Sequence, residues 1–273
     1  MPSTPTSSGY AKVNGLEMYY EIHGEMHGVI HGVIHGEIQG AGRDDRRPLV
    51  LLHGGVTTIG LSFAAVLPAL AADRRIVAPE LQGHGHTADI ERALTVPNLA
   101  SDVVALLDEL GIRQADFLGY SLGGLTALDI AVRHPERVGR IVLAATQYSQ
   151  EGVHDDVRSG DFASPRLPSE ADFQEMAEAY AACAPDPGHF QDFLAKISAA
   201  ANAPLPWTAD DLRGVRAPTL LVIGDTDFVL VEHAAEMRRL IPGARLAVLP
   251  ATTHMTLMRR TSLLLPLVTE FLD

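Results

Sequence analysis

A serine flanked by glycines is the strongest chemical signal in the chain: residues 119–123 read Gly-Tyr-Ser-Leu-Gly. An apolar run at 115–119 precedes the serine, and an alanine- and leucine-rich run at 122–134 follows it. These runs predict a strand, a sharp turn and a helix. A serine hydroxyl becomes an effective nucleophile when such a turn exposes it next to a base. We therefore predict that Ser121 is a nucleophile.

A base and an acid follow further along the chain. The predicted strand at 219–223 is followed by Gly-Asp-Thr-Asp, which contains Asp225 and Asp227, and His254 follows the last predicted strand. A carboxylate at a strand end can orient an imidazole, and the order nucleophile, acid, histidine is the one this chemistry uses. We predict Asp227 as the acid and His254 as the base. Asp225 competes for the role of acid, but it can instead cap the turn.

Acyl transfer through a tetrahedral intermediate also needs two donors for an oxyanion. Residues 53–56, His-Gly-Gly-Val, follow an apolar run, and small residues let backbone amides approach the reacting group. We assign the two donors to the amides of Gly55 and Leu122, with Val56 as the neighbour that could replace Gly55. The residues predicted to contact the substrate are Val56, Tyr120 and Trp207.

Predicted strands alternate with predicted helices along most of the chain, which indicates crossover connections and a mostly parallel sheet flanked by helices. Asn14-Gly15, within 11–22, is a hairpin signal and predicts an antiparallel edge. The rhythm breaks at 147–213, a proline-interrupted stretch that we predict to be a helical cap inserted into the fold. The predicted regions are therefore a first core part (1–146), the cap (147–213) and a second core part (214–273). We expect most aromatic residues of the cap to form its own small core.

Together these motifs resemble the α/β-hydrolase superfamily, especially its small serine esterases and related hydrolases, over nearly the whole chain. The resemblance implies an α/β-hydrolase fold with Ser121 as nucleophile, His254 as base and then acid, and Asp227 orienting the histidine. It also implies that the cap shapes the pocket. Many relatives carry an aspartate where this chain has Glu80, in a loop motif that is mainly structural. His84 and His86 in that motif are interpreted as loop residues.

The leading functional hypothesis is hydrolysis of a carboxylic ester, which needs no cofactor and no metal. Hydrolysis of a lactone or of a carbon–carbon bond, and cofactor-free perhydrolysis, use the same three residues and stay open. A ligand receptor on a hydrolase scaffold is the alternative from another class. An aromatic- and alanine-rich cap favours a small, uncharged or partly apolar substrate. The natural substrate and the oligomeric state are not determined by the sequence.

A tetrapeptide repeat places histidine at every fourth position, at His23, His27, His31 and His35. Residues four apart share one face of a strand, so the imidazoles could line up and bind zinc or copper. A lengthened hairpin or loop is the favoured interpretation, because glycine at every fourth position provides no rigid ligand cage.

Charge and composition exclude several classes of partner. With 21 Lys and Arg against 34 Asp and Glu, the net charge is −13, which disfavours nucleic acid. A single cysteine cannot form an internal disulfide. The N-terminus does not read as a secretory signal, and no apolar run approaches the ~20 residues that span a bilayer. A cytoplasmic enzyme with no membrane partner is the expectation.

Overall fold

The computed structural model describes residues 4–24, 46–161 and 163–273. In these ranges the strands are β1 (Ser7–Val13), β2 (Leu16–His23), β3 (Leu49–Leu52), β4 (Ile76–Pro79), β5 (Ala115–Tyr120), β6 (Val138–Ala144), β7 (Thr219–Gly224) and β8 (Arg245–Leu249). They form one sheet in the order β1-β2-β4-β3-β5-β6-β7-β8. Only the pairs β1–β2 and β2–β4 of this sheet are antiparallel. The predicted mostly parallel sheet with an antiparallel edge is confirmed.

Helices cover both faces of the sheet. Within the described ranges they are α1 (Ile59–Phe63), α2 (Leu67–Leu70), α3 (Val96–Glu109), α4 (Leu122–Arg133), α5 (Asp155–Arg158), α6 (Glu170–Cys183), α7 (Phe190–Asn202), α8 (Ala209–Arg213), α9 (Val231–Leu240) and α10 (Thr261–Leu272). Alternate residues of β3 join opposite apolar clusters: Val50 packs with α3 and α4, and Leu51 packs with α1, α2 and α10. This two-sided burial explains why β3 is apolar throughout. No helix in the described ranges is both long and apolar enough to cross a bilayer.

The turn between β1 and β2 follows from its two residues. Asn14 and Gly15 have φ values of 47° and 86°, and Val13 pairs with Leu16 across the turn. A two-residue hairpin turn with both φ values positive favours Asn-Gly. The predicted hairpin is confirmed, and its strands extend beyond the predicted bounds, from Ser7 to His23.

The described chain between β6 and β7 forms α5 to α8. The rings of Tyr180 on α6 and Phe193 on α7 stack with centroids 5.6 Å apart. Both residues belong to the same apolar cluster as α3 and α4. Tyr180 and Phe193 therefore pack in the main core of the protein. This differs from the separate small core within the cap that the sequence leads us to expect. The division of the chain at residues 147 and 213 stays a prediction.

His23 is the first histidine of the tetrapeptide repeat, and it ends β2. Its side chain is buried, and its Nε2 lies 2.8 Å from Oε2 of Glu21. The other three histidines of the repeat lie outside the described residues. Both interpretations of the repeat, a metal site and a lengthened loop, therefore stay predictions.

His84 holds the loop after β3 in a strained conformation. The backbone of Val56 has φ 60°, which is unfavourable for a β-branched residue. The amide of Val56 donates to Nε2 of His84 at 3.1 Å, and Nδ1 of the same ring lies 2.9 Å from the carbonyl oxygen of Gln82. Since Nε2 accepts, Nδ1–H is the donor, and the ring is neutral.

His53 makes the equivalent bridge in the opposite direction. Its Nε2 accepts from the amide of Leu81 at 3.0 Å, and its Nδ1–H donates to the carbonyl oxygen of Gly54 at 2.8 Å. Burial lowers the pKa of His53, and burial assisted by the neighbouring His53 lowers the pKa of His84 to about 3. Two neutral histidines thus join the loop after β3 to the loop after β4.

We expect the neutral state of His84 to make folding sensitive to mild acid. The unfolded chain binds a proton near the ordinary pKa of 6.5, whereas folded His84 does so only near 3. The stability that depends on neutral His84 is complete above pH 6.5 and is lost as the pH falls towards 3, by about 2 kcal/mol at pH 5. Urea unfolding of wild type and His84→Gln at pH 7.5 and 5 measures this loss.

The free energy of unfolding should fall by about 2 kcal/mol less in His84→Gln than in wild type over this interval. His134→Gln, at a half-exposed histidine after α4, is the matched control and should keep the wild-type pH dependence. Equal pH dependence in His84→Gln and wild type would show that the pKa of His84 is the same in the folded and the unfolded protein.

Candidate active site

Ser121 lies at the turn between β5 and α4 in a left-handed backbone conformation, with φ 53° and ψ −115°. This conformation is strained for any residue with a Cβ. The glycines on either side allow the close approach that it requires. A Cβ on Gly119 would lie 2.3 Å from the carbonyl oxygen of Gly123, and a Cβ on Gly123 would lie 1.9 Å from that of Leu52. The predicted strand, turn and helix are confirmed.

The structure brings the three predicted reactive side chains together. Nε2 of His254 lies 3.0 Å from Oγ of Ser121, and Nδ1 of His254 lies 2.8 Å from Oδ1 of Asp227. His254 and Asp227 are buried, whereas Ser121 is partly exposed. Because the carboxylate can only accept while ionised, Nδ1–H is the donor to Asp227. Nε2 is therefore free to accept the serine proton.

Asp225 occupies a different position in the same loop. Its Oδ1 accepts from the amide of Thr252 at 3.1 Å. Backbone hydrogen bonds from Thr252 and Ala251 lower the pKa of this carboxyl. Asp225 therefore ties the loop after β7 to the loop that carries His254, whereas Asp227 contacts the imidazole itself. Of the two predicted aspartates, Asp227 is therefore the one that contacts the imidazole. Its catalytic role stays a prediction.

Two aromatic residues position the ring and backbone of His254. The ring of Phe228 stacks on the imidazole with centroids 3.6 Å apart and an interplanar angle of 23°. Tyr120 donates its hydroxyl to the carbonyl oxygen of His254 at 2.9 Å. Burial raises the pKa of the Tyr120 hydroxyl, which keeps it protonated as a donor. Phe228 was not identified from the sequence, although its place directly after Asp227 was a usable signal.

The predicted oxyanion donors face one another across the site. The Cβ position of Gly55 lies 3.8 Å from Cβ of Leu122. Among the described residues, neither the Gly55 amide nor the Leu122 amide donates a hydrogen bond. The Val56 amide, the predicted substitute, is already bonded to His84. The amides of Gly55 and Leu122 therefore stay the candidates.

The predicted substrate contacts have different surroundings. Val56 is half-buried next to Gly55, whereas Tyr120 is buried below His254. Trp207 is buried, and its ring N–H donates to Oδ1 of Asp129 at 3.0 Å. Asp129 is eight residues along α4 from Ser121, or about 12 Å by helix rise. The packing of Trp207 is thus explained by its bond to α4, and a substrate contact stays a prediction.

Two basic side chains, one on α7 and one after β8, are paired with carboxylates. Nζ of Lys196 on α7 lies 2.6 Å from Oδ1 of Asp89, and Nη2 of Arg259 lies 2.7 Å from Oε2 of Glu175. Arg259 and Glu175 line a small pocket together with Tyr120. Within the described ranges, no cluster of three or more His, Cys, Asp or Glu side chains is arranged to hold a metal ion.

Comparison with known proteins identifies the family of the chain. The family model described as "Alpha/beta hydrolase family" matches residues 49–262. The chain is 30% identical over 253 residues to 2-hydroxymuconate semialdehyde hydrolase of Pseudomonas sp. (strain CF600), covering 82% of this chain and 86% of that protein. It is 28% identical over 246 residues to 2-hydroxy-6-oxo-2,4-heptadienoate hydrolase of Pseudomonas putida, covering 82% and 88%.

A solved structure extends the likeness to the whole fold. The enol-lactonase from Burkholderia xenovorans LB400 superposes with a TM-score of 0.74 at 25% identity, covering 96% of this chain and 99% of that one. The match of the family model covers well over half of the chain. The chain therefore belongs to the alpha/beta hydrolase family and is a hydrolase.

Proposed function

We propose that this hydrolase cleaves a carboxylic ester or a similar acyl bond through Ser121, His254 and Asp227, by way of an acyl-enzyme. The observation that carries the proposal is the 3.0 Å distance between Oγ of Ser121 and Nε2 of His254. This distance allows direct proton transfer as the serine attacks. The 2.8 Å contact with Asp227 orients the ring and stabilises the imidazolium that forms.

The first half-reaction forms the acyl-enzyme. Oγ of Ser121 bonds to the substrate carbonyl carbon while its proton moves to Nε2 of His254. The carbonyl oxygen becomes an oxyanion, and the amides of Gly55 and Leu122 donate to it. Leu122 is the first residue of α4, so the positive end of the helix dipole also favours this charge. The intermediate collapses, and the leaving alkoxide takes the proton from Nε2.

The second half-reaction releases the acid. A water molecule transfers a proton to Nε2 of His254 as its oxygen bonds to the acyl carbon. The second tetrahedral intermediate uses the same two amides. When it collapses, the bond to Oγ breaks and the proton on Nε2 returns to Ser121. The enzyme is restored, and the net reaction is hydrolysis without a change in oxidation state.

A small, uncharged or partly apolar substrate fits this site best. Lys196 and Arg259 are neutralised by Asp89 and Glu175, so neither presents a free charge to a substrate carboxylate. The side chain of Ile197 approaches the proposed oxyanion hole from α7. Apolar walls with few polar groups are typical of sites for small organic ligands.

Hydrolysis of a lactone or of a carbon–carbon bond next to a carbonyl is the second candidate. It is favoured by the names of similar proteins, which include an enol-lactonase and a hydrolase of 2-hydroxy-6-oxo-2,4-heptadienoate. The latter substrate carries a carboxylate, which would have to displace a carboxylate partner from Lys196 or Arg259. The paired state of these cations supports the ester or lactone over an anionic substrate.

Replacement of the proposed nucleophile provides the first test. Ser121→Ala should lower kcat/KM for p-nitrophenyl butanoate by about 10³-fold or more, because the acyl-enzyme cannot form. A fluorophosphonate should label wild type and not Ser121→Ala, as seen by intact mass. Ser101→Ala, at an exposed serine on α3, is the control and should behave as wild type. Undiminished turnover by Ser121→Ala would disprove the assignment.

The two aspartates of the loop after β7 offer a matched pair. Asp227→Asn should lower kcat by about 10²- to 10⁴-fold, because an amide cannot hold the imidazole in the required tautomer or stabilise its charge. Asp225→Asn should lower kcat by less than about 10-fold, since Asp225 bonds only to backbone. Steady-state kinetics and thermal unfolding of both variants measure this contrast. A reversed order of effects would assign the acid to Asp225.

Substrate charge can be tested with two esters of similar size. p-Nitrophenyl pentanoate is neutral, whereas mono-p-nitrophenyl succinate carries a free carboxylate at the end of its acyl chain. We expect kcat/KM to favour the neutral ester by about 10-fold or more, because Lys196 and Arg259 are already paired and a buried carboxylate would lose its hydration without gaining either of them. Preference for the charged ester would favour the second candidate and its anionic substrates.

A further inference from the structure

We infer that Ile197 of α7 limits the size of the acyl group that the site accepts. This inference rests on the proposed function, because it names the residue that bounds the acyl side of the same site. Cδ1 of Ile197 lies 3.2 Å from the Cβ position of Gly55. Cβ of Leu122 lies 3.8 Å from the same position, so the three residues meet around one point.

The point at which they meet borders the proposed oxyanion hole. The carbonyl oxygen of a bound ester lies between the amides of Gly55 and Leu122, and its carbonyl carbon lies within bonding reach of Oγ of Ser121. The acyl group extends from that carbon and must pass the side chains that surround it. The terminal methyl group of Ile197 therefore occupies space that a longer or branched acyl group would need.

Phe193 holds α7 close to the same loops. Its ring carbons lie 2.7 Å from the Cβ position of Gly83, which has φ 76°, so only glycine leaves room for the ring. The ring also makes an edge contact with His84 at a centroid distance of 4.8 Å. His84 in turn accepts from the amide of Val56, next to Gly55. Ile197 is thus one helical turn from a fully buried anchor.

Lys196 provides a second anchor directly beside Ile197. Its Nζ donates to Oδ1 of Asp89 at 2.6 Å and to the carbonyl oxygen of Ile90 at 2.7 Å. Asp89 is also bonded to Gln82 at 2.7 Å. These bonds connect α7 to the loop after β4. With anchors at residues 193 and 196, Ile197 forms a fixed wall, and its size sets the available space.

The test removes the wall in two steps. Ile197→Val deletes Cδ1, the methyl carbon that lies close to Gly55. Ile197→Ala also deletes Cγ1 and Cγ2. The kcat/KM values for p-nitrophenyl acetate, butanoate and hexanoate are measured for each variant and for wild type. Ile112→Val is the matched control, because Ile112 is buried just before β5, at the end of the sheet opposite to Ser121.

We expect the ratio of hexanoate to acetate turnover to rise by about 10-fold in Ile197→Val and further in Ile197→Ala, since one carbon in an apolar pocket is worth about 10-fold or more. Ile112→Val should keep the wild-type ratio. The same length series is measured as binding by calorimetry in Ser121→Ala, with and without Ile197→Ala, where the esters stay intact.

The two kinds of measurement separate the two proposals. If Ser121→Ala turned over esters as wild type does, the proposed mechanism would fail, and the turnover profile of the Ile197 variants would still decide the role of Ile197. A shift of preferred acyl length on loss of the isoleucine supports the inference. An unchanged length profile in both turnover and binding overturns it.

Discussion

The strained turn at Ser121 is the constraint on which the rest of the site depends. The left-handed conformation of Ser121 between a parallel strand and a helix is accompanied by a very close approach of the neighbouring backbone, that of Gly123 to Leu52. This contact fixes α4 against the end of β3. Because Gly55 follows β3 and Leu122 begins α4, the same close approach brings the two free amides to one side of the serine. The strained turn at residue 121 and the placement of the two proposed oxyanion donors therefore depend on the same packing of α4 against β3.

Buried neutral histidines supply the second condition, a loop after β3 that keeps its shape. The amide of Val56 needs an acceptor because its backbone turns away from regular pairing, and a ring nitrogen of His84 provides it. The other ring nitrogen bonds to a carbonyl, so no polar atom of the ring is left without a partner. Imidazole suits this position because it presents one donor and one acceptor at a fixed separation. His53 and His84 are therefore better understood as structural residues than as reacting groups.

Local rules were sufficient to predict most of the fold. The meeting of Ser121, Asp227 and His254 was predicted instead from their order along the chain and their places at strand ends. The Asn14-Gly15 turn, the apolar strands and the glycine-flanked serine each depend on neighbours in the sequence, and the structure bears out their conformations. Contacts between distant segments could not be predicted in this way. The bond from Trp207 to Asp129 joins residues 78 apart, and no local pattern distinguishes a tryptophan that packs on a helix from one that faces a pocket. The approach of Ile197 to Gly55 has the same character, since it depends on how α7 lies over the sheet.

The chain between β6 and β7 includes α7 and is also hydrogen-bonded to the loop after β7, which contains Asp227. The amide of His154 donates to the carbonyl oxygen of Phe228 at 2.9 Å, and the amide of Leu230 donates to that of Gly152 at 2.8 Å. Between these bonds, Val153 and Val229 form an antiparallel bridge. Phe228 stacks on His254, so a displacement of this short ladder would also move the ring against which the imidazole rests. The segment between β6 and β7 therefore contributes to the position of His254 through residues 152–154 and, through α7, carries the proposed wall residue Ile197. Changes that displace the backbone of this segment should for that reason also alter the alignment of His254. Changes confined to a single side chain, such as that of the proposed wall residue Ile197, should leave that alignment as it is.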